Sequence, residues 1–345
     1  MNPSPTVSVV IPSYNRAEWL PATVQSVLAQ THPSTEILII DDGSTDNTAE
    51  VCARFPAPVR HLRQSNAGVG AARNHGMREA RGELIALLDS DDVWEPTKLE
   101  VQVALHRLRP EIGWSVTNAI TIGLDGAVLS GRQGFERNFS LFDGLGVGAE
   151  EFFARWFERV ELEAAGTRHV AWCGDAFAPL FLGNFTSPTC VLLARSLVRW
   201  VGGFDESFRL AEETEYFHRV AARAPLGVIT TPLFRWRVGQ LVSLVSAQNV
   251  VTLIENALTS GDRAAKLRVP IAPAAQAARE QGRRRLLTDL AYTQLSIREG
   301  RAARAAVRDA RRAGASGMRL TLISALGMLP APVLSVLHAL KRRLR

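Results

Sequence analysis

Four short strand-type segments, separated by helix-type patterns and short connections, most constrain what this chain can fold into. They are Val7–Ile11, Glu36–Ile40, Val59–Leu62 and Leu84–Leu88. Apolar runs of this length, bounded by polar residues, are typical of strands buried on both faces of a parallel sheet. Strands that alternate with helices in this way predict right-handed crossovers. The expected fold class is therefore α/β, with a Rossmann-like, mostly parallel sheet flanked by helices.

The fourth strand ends in an acidic cluster. Asp89, Asp91 and Asp92 follow directly after Leu84–Leu88. Carboxylates this close repel one another unless a cation or hydrogen-bond donors compensate, and they are the oxygen ligands that a hard divalent ion prefers. The cluster predicts a Mg²⁺ or Mn²⁺ site at the carboxyl end of the strand, where open α/β sheets bind ligands. The alternative is a solvated acidic turn that caps the next helix.

The other strand ends carry residues suited to a nucleotide. Tyr14 can stack on a base, and Asp41 or Asp42 can accept a hydrogen bond from a base or a ribose. Arg73, near the start of the third helix, offers a forked donor set to a diphosphate. The nearby glycines lack the GxGxxG spacing, so a nicotinamide cofactor is not expected. The structural alternatives are an Asx-rich turn for the aspartates and a surface ion pair for Arg73.

Composition and charge limit the classes of protein to which the chain can belong. The chain has 345 residues, of which 46% are hydrophobic, enough for two domains or one large domain with an appendage. The net charge of +6 comes from the C-terminal region, since residues 283–345 hold fourteen Lys and Arg against three Asp and Glu. The remainder is mildly acidic, which does not favour nucleic acid as a partner. Scattered cysteines (Cys52, Cys173, Cys190) and the lack of a signal peptide predict a cytoplasmic protein.

Five segments together resemble the family 2 glycosyltransferases, which have the GT-A fold. They are VSVVIPSYNRAEWL at 7–20, IIDDGSTDNT at 39–48, NAGVGAARNHGMREARGE at 66–83, LLDSDDVWEP at 87–96 and GGFDESF at 202–208. The resemblance covers about residues 5–240 and is most specific over the first hundred. It implies an inverting, hexosyltransferase-type enzyme that takes a sugar from a nucleoside-diphosphate sugar, a UDP-sugar foremost.

The resemblance also implies the residues of the site. The implied nucleoside contacts are Pro12, Tyr14, Asn15, Asp41 and Asp42. The implied contacts of the diphosphate and its metal are Arg73, Asp89, Asp91 and Asp92, with Asp91 and Asp92 as the expected metal ligands.

The general base is expected in the block that follows GGFDESF. The family usually has Glu-Asp there, with the Asp as base, whereas this chain has Glu212-Glu213. The extra methylene moves the carboxylate by about 1 Å. We expect Glu213 to be the base and Glu212 to be the second candidate. The alternative is an acidic first helical turn, favoured by the helix dipole. A later polar segment with Arg235, Arg237 and Ser243 is implied to close over the diphosphate.

A glycosyltransferase domain is expected to precede a helical, basic C-terminal region. The limits are 1–245 for the domain, divided into a nucleotide-sugar half at 1–110 and an acceptor half at 111–245, and 246–345 for the C-terminal region. Residues 320–340 are uncharged and precede Lys341-Arg342-Arg343. Peripheral docking of this stretch on the anionic inner face of the cytoplasmic membrane is the preferred interpretation. Packing within the protein and a membrane span are the alternatives.

Two functions from different classes follow. The preferred one is an inverting, metal-assisted glycosyltransferase of cell-surface glycan biosynthesis, with a glycan or lipid-linked acceptor. The alternative is a catalytically weak nucleotide-sugar-binding protein that serves as an assembly or regulatory partner, suggested by the altered acidic pair. A nucleotidyltransferase is less favoured, because Pro12–Arg16 lacks the glycine-rich loop that such enzymes carry after the first strand.

Overall fold

A computed structural model describes residues 6–129, 134–135, 140–239 and 247–329. The chain divides into two compact units, one formed by residues 1–176 and 184–240 and the other by residues 177–183 and 241–345. The predicted domain boundary at residue 245 lies outside the described residues, and it stays a prediction.

The first unit begins with a parallel sheet. Its strands and connecting helices are β1 (Val7–Ser13), α1 (Leu20–Leu28), β2 (Thr35–Asp41), α2 (Thr48–Cys52), β3 (Val59–Arg63), α3 (Val69–Glu79) and β4 (Leu84–Leu87). The strand order is β3-β2-β1-β4, and each neighbouring pair is parallel. β1, the central strand, is buried along its whole length, as expected for a strand covered on both faces. The predicted Rossmann-like architecture is confirmed.

The sheet continues as a mixed sheet. The further elements are β5 (Val93–Trp94), α4 (Lys98–Leu108), β6 (Trp114–Ile122), α5 (Ser140–Leu145), α6 (Ala149–Trp156), β7 (Glu158–Ala164), β8 (Thr167–Gly174), α7 (Phe177–Leu182), β9 (Leu192–Ala194), α8 (Arg195–Val201), α9 (Glu212–Ala221) and β10 (Leu226–Arg237). The full strand order is β3-β2-β1-β4-β9-β6-β10-β8-β7, and β5 pairs with β10. β9 is antiparallel to both β4 and β6, whereas β10 is parallel to β6.

The second half of this unit differs from the sequence-based expectation in three places. The sequence pattern predicts two strands, Leu226–Thr231 and Leu233–Val238, but they form one strand, β10, whose register against β6 shifts beside Pro232. Proline cannot donate a ladder hydrogen bond, so the pairing is interrupted there without ending the strand. The apolar run Thr189–Ala194 predicts a strand, but its first residues belong to a 3₁₀ turn, Pro188–Cys190. The β7–β8 hairpin was not predicted.

The second unit is helical. Its described elements are α7, α10 (Ala247–Ala264), α11 (Pro273–Ser296), α12 (Gly300–Arg312) and α13 (Met318–Leu326). A Cβ on Gly282 of α11 would lie 1.8 Å from the carbonyl oxygen of Phe181, so only glycine permits this approach to α7. α12 buries Ala303, Ala306 and Val307, and its arginines lie on the other, more exposed face.

Among the residues that the structure describes, no helix is both long and apolar enough to cross a bilayer. The predicted membrane-docking stretch, residues 320–340, is described only as far as residue 329. Its prolines and the basic residues that follow it lie outside the described part of the chain.

Candidate functional site

Three strand ends and one helix start meet at the carboxyl edge of the parallel strands. β1 and β2 end in register at Ser13 and Asp41. Asp89 follows β4, which pairs with β1 on its other side. α3, which begins at Val69, packs on β1 and β2. The parallel topology therefore brings the predicted nucleotide residues to one edge, where α/β sheets bind ligands.

The residues after β1 have different environments. Pro12 is buried within β1, whereas Tyr14 is 45% exposed. Asn15 has a left-handed backbone with φ 52°. Its Oδ1 accepts hydrogen bonds from the backbone N–H groups of Thr45 at 2.8 Å and Asp46 at 3.3 Å. Asn15 therefore holds the loop after β2 in place, and Tyr14 remains accessible to a base.

Asp41 and Asp42 are both buried, but their carboxylates have different hydrogen-bond partners. Asp42 accepts the backbone N–H groups of Ala67 at 2.9 Å and Gly68 at 2.8 Å, which fixes the turn that begins α3. One oxygen of Asp41 accepts a backbone N–H at 2.8 Å. Its Oδ2 has no hydrogen-bond partner among the described residues and lies 3.7 Å from Arg63 Nε. Buried oxygens usually have partners, so Oδ2 is the better candidate to accept a donor from a base or a ribose.

Arg73 joins the two acidic segments. Its Nη2 donates to Asp89 Oδ1 at 2.8 Å, and its Nη1 donates to Glu212 Oε1 at 2.7 Å. Arg73 is 4% exposed, and its guanidinium lies 5.4 Å from the centroid of the Phe204 ring. Burial disfavours the charge, but the carboxylates of Asp89 and Glu212 outweigh it and raise the pKa of Arg73. The sequence predicted Arg73 near the nucleotide but not its bond to Glu212, 139 residues away.

Arg73→Met is expected to lower the free energy of unfolding by about 3–5 kcal/mol, because it leaves two carboxylates without their buried partner. Urea unfolding measures the loss. Arg60→Met is the matched control, since Arg60 pairs with Glu36 and Glu79 at the surface, and it should cost less than about 1 kcal/mol. Equal losses in the two variants would contradict the structural role of Arg73.

Asp92 is buried, and both of its oxygens accept hydrogen bonds. Oδ1 accepts the backbone N–H of Arg237 at 2.9 Å, and Oδ2 accepts the hydroxyl of Thr189 at 2.8 Å. The same hydroxyl accepts the backbone N–H of Asp89 at 3.1 Å. Burial and the charges of Asp91 and Asp89 raise the pKa of Asp92 well above its usual range. Asp92 therefore anchors the acidic loop, and a nearby cation would stabilise its ionised form.

Asp89 and Asp91 are the half-buried carboxylates of this cluster. Asp91 Oδ2 lies 3.7 Å from Arg16 Nε. Within the described residues, no three His, Cys, Asp or Glu side chains converge as a metal-binding group. Magnesium sites that involve a nucleotide need only one or two carboxylates, because water and phosphate oxygens complete the shell. Asp91 beside Asp89 fits that requirement, and the ligation by Asp91 and Asp92 stays a prediction.

The second acidic pair begins α9. Ala211, the residue before it, has a left-handed backbone with φ 60°, a conformation that costs a non-glycine residue about 1 kcal/mol and is frequent at functional sites. Glu212 is turned to Arg73, and Glu213 is half-buried. Burial and the charge of Glu212 raise the pKa of Glu213 to about 7. A carboxylate with a pKa close to the working pH is well suited to act as a general base near neutral pH.

The two arginines expected to close over the diphosphate are engaged within the protein. Arg237 Nε donates to the carbonyl oxygen of Asp91 at 3.0 Å, and Arg235 pairs with Glu95 at 2.8 Å. Ser243 lies outside the described residues. In this arrangement, Arg237 supports the backbone of the acidic loop.

Two supporting residues were missed by sequence reasoning. Thr189 is fully buried and connects Asp89 with Asp92. Asn74 accepts the backbone N–H of Phe204 at 2.7 Å and donates to its carbonyl at 2.9 Å, which holds the GGFDESF segment against α3. The position of Asn74 inside a family-like segment could have identified it, whereas nothing local marks Thr189.

The comparisons with known proteins agree with this architecture. The family model for Glycosyl transferase family 2 matches residues 8–157. TuaG of Bacillus subtilis, a proposed teichuronic acid biosynthesis glycosyltransferase, is 37% identical over 132 residues, or 37% of this chain and 52% of TuaG. The chain spans about half or less of the length of the curated relatives it matches.

Two solved structures share the fold. Residues 1–349 of Staphylococcus aureus TarS, in complex with UDP-GlcNAc, align with a TM-score of 0.57 and 16% identity over 89% of this chain and 81% of that one. The mannosyltransferase PcManGT from Pyrobaculum calidifontis, in complex with GDP-Man and Mn²⁺, aligns with a TM-score of 0.57 and 18% identity, covering 94% of this chain and 80% of that one. At these identities the likeness establishes the fold.

The sheet, the strand-end carboxylates and these alignments define a protein of the GT-A fold class. Residues 8–157 of the chain match glycosyltransferase family 2. The expected family and fold are therefore confirmed.

Proposed function

We propose that the protein transfers a hexosyl group from a nucleoside-diphosphate sugar, a UDP-sugar foremost, to an acceptor hydroxyl with inversion. The observation that carries this proposal is the pair of hydrogen bonds by which buried Arg73 connects Asp89 to Glu212. It ties the acidic loop after β4, where the donor diphosphate is expected, to the helix start that presents Glu213. These hydrogen bonds connect the proposed donor side to the helix that carries the proposed base.

The nucleoside end is assigned to the β1 and β2 ends. Tyr14, which is accessible, is proposed to stack on the base. Asp41 Oδ2, which lacks a hydrogen-bond partner among the described residues, is proposed to accept a donor from the base or the ribose. Asn15 and Asp42 are proposed to act by holding the surrounding loops, since their oxygens already accept backbone N–H groups.

The diphosphate end is assigned to Asp89 and Asp91 with a Mg²⁺ or Mn²⁺ ion. When bound, the cation supplies positive charge to the leaving diphosphate. Asp92 positions the loop through Thr189 and the backbone of Arg237. The Mn²⁺ complex of PcManGT supports a divalent cation in a protein of this fold.

The acceptor end is assigned to Glu213. An acceptor hydroxyl that attacks the anomeric carbon opposite the leaving group must lose its proton, and Glu213, whose pKa is raised to about 7, is proposed to take it. Glu212 holds Arg73 and is less available for this role. The relation to TuaG supports a place in cell-surface glycan biosynthesis. We propose a cytoplasmic protein that contacts the inner membrane face peripherally.

Calorimetric titration with UDP, GDP and dTDP, each with Mn²⁺ and with EDTA, tests the donor assignment. We expect one nucleotide to bind about tenfold or more tightly with the metal than without it, because a cation held by Asp91 would offset the negative charge of the diphosphate. Adenosine diphosphate is a control nucleotide of equal charge. Failure of all the nucleotides to bind would overturn the proposed function.

A further inference from the structure

Two helices of the first unit present arginines to one cavity. The cavity has a volume of about 470 Å³, within the usual range of ligand pockets. α3 contributes Arg78, and α8 contributes Arg195 and Arg199. Residues 195 and 199 are four apart, so their side chains share one face of α8. None of the carboxylates assigned to donor, metal or base lines this cavity.

The three arginines have no acidic partner. Within the described part of the chain, Arg78, Arg195 and Arg199 form neither an ion pair nor a side-chain hydrogen bond. The carboxylate of Glu79, the neighbour of Arg78, pairs instead with Arg60. Like charges four residues apart on a helix disfavour it by a few tenths of a kcal/mol. The three guanidinium groups at one cavity repel one another, and a bound anion would offset this repulsion.

The rest of the lining provides an apolar floor. Val198, Met77 and Phe204 line the cavity together with the backbone of Gly202 and Gly203. The side chain of Asn74 also reaches it, but its atoms are bound to Phe204 and to Glu206. Arg78 and Arg199 are exposed, whereas the three apolar side chains are buried, so a ligand would meet guanidinium groups at the surface and apolar atoms below. This pattern suits a charged group attached to a less polar body.

The number and geometry of the donors select the anion. Guanidinium groups bind oxyanions through paired N–H donors. A carboxylate offers two oxygens and a single charge, whereas a phosphate monoester offers three terminal oxygens and about −1.5 to −2 charges at neutral pH. Three arginines match the phosphate better in both respects. We propose that this cavity, which we call the arginine pocket, binds the phosphate of a phosphorylated ligand, distinct from the donor diphosphate.

The surface beside the arginine pocket suggests where such a ligand comes from. Trp200, next to Arg199 in α8, is 65% exposed, and the guanidinium of Arg223 lies 5.1 Å from its ring centroid. Exposed tryptophan beside arginine is common where a protein meets the headgroup region of a membrane. A soluble phosphate ester and a lipid headgroup share the same phosphate chemistry, so the experiment needs an arm for each.

The test compares the full chain with the triple variant Arg78→Gln, Arg195→Gln, Arg199→Gln. The matched control, Arg54→Gln, Arg159→Gln, Arg168→Gln, removes the same charge from exposed arginines elsewhere on this unit. Glycerol 3-phosphate binding is followed by calorimetry in EDTA, and vesicles of phosphatidylcholine are compared with vesicles that also contain phosphatidylglycerol. Arg199→Glu provides a second, single-site variant, and circular dichroism verifies folding.

We expect the triple variant and Arg199→Glu to lose at least about tenfold in affinity for one or both phosphate probes, and the control to change less than about twofold. Loss confined to glycerol 3-phosphate identifies a soluble ligand, and loss confined to phosphatidylglycerol vesicles identifies a lipid. The proposal is overturned if the triple variant binds both probes as tightly as the native chain does. It is also overturned if the native chain binds neither probe. Because EDTA suppresses metal-dependent nucleotide binding, the result is independent of the donor assignment.

Discussion

Replacing Glu213 by Gln is expected to lower the rate of sugar transfer by about 10²–10⁴-fold, the usual contribution of a general base. The amide cannot accept the proton of the acceptor hydroxyl, although it keeps nearly the same shape. Nucleotide affinity should change little, since Glu213 is proposed to act on the acceptor, and the hydrogen bonds of Arg73 to Asp89 and Glu212 do not involve it. Single-turnover transfer and calorimetric nucleotide binding, measured on the same sample, separate the two effects.

The pH dependence adds a second signature for Glu213. A base acts only when ionised, so transfer by the native protein should rise with pH through about 7, where Glu213 loses its proton. Stability should run in the opposite direction. Between the usual pKa of 4.5 and about 7, the folded protein keeps a proton that the unfolded chain has lost, so raising the pH through this window destabilises the fold. Glu213→Gln should remove that part of the pH dependence.

The control for this experiment is Glu150→Gln, an exposed glutamate in the first turn of α6. It should retain native transfer rates and the native pH dependence. Full transfer activity in Glu213→Gln would rule out Glu213 as the base. Nucleotide-sugar binding without transfer in the native protein and in every variant, with several acceptors, would favour the alternative of a binding protein.

Replacing Asp91 by Asn is expected to abolish metal-dependent nucleotide binding and to lower transfer by about 10²–10³-fold, the size of the loss when one stabilising group is removed from a developing negative charge. Asp91 is half-buried at the edge where the strand ends meet, and its carboxylate is proposed to face the metal. Chelation of the metal in the native protein should have a similar effect, and added Mn²⁺ should restore activity there but not in the variant.

Asp92→Asn is the matched comparison for Asp91→Asn. Asp92 is buried, and both of its oxygens accept hydrogen bonds from Thr189 and Arg237, so we expect its loss to reduce stability by about 1–3 kcal/mol. Asp91→Asn should leave the thermal midpoint nearly unchanged while removing the metal effect. If Asp92→Asn instead lost metal affinity at native stability, Asp92 would be the ligand and the assignment to Asp91 would be wrong.

The elements that the sequence predicted well depend on local patterns. The helix that the sequence pattern predicts at Lys98–Leu108 has the bounds of α4, and the first four strands agree within two residues at each end. Burial on both faces of a parallel sheet requires a short apolar run, and the chain must become polar where the strand leaves the core. Both signals lie within a few neighbouring residues. The strand-end residues of the candidate site follow from the same logic, because parallel strands must end at a common edge.

The remaining features depend on contacts between distant parts of the chain. β9 runs antiparallel between β4 and β6, yet nothing in its three residues encodes that position. Glu212 reaches Arg73 across 139 residues, and Thr189 reaches Asp92 across 97. A buried charge needs a partner, and that partner can come from a distant part of the sequence. Only the tertiary structure could therefore decide which of the two glutamates pairs with Arg73. The sequence by itself identified the likeness to the family and the carboxylates of the candidate site. The tertiary structure decided how deeply each carboxylate is buried and which residues it contacts, because those contacts join distant parts of the chain.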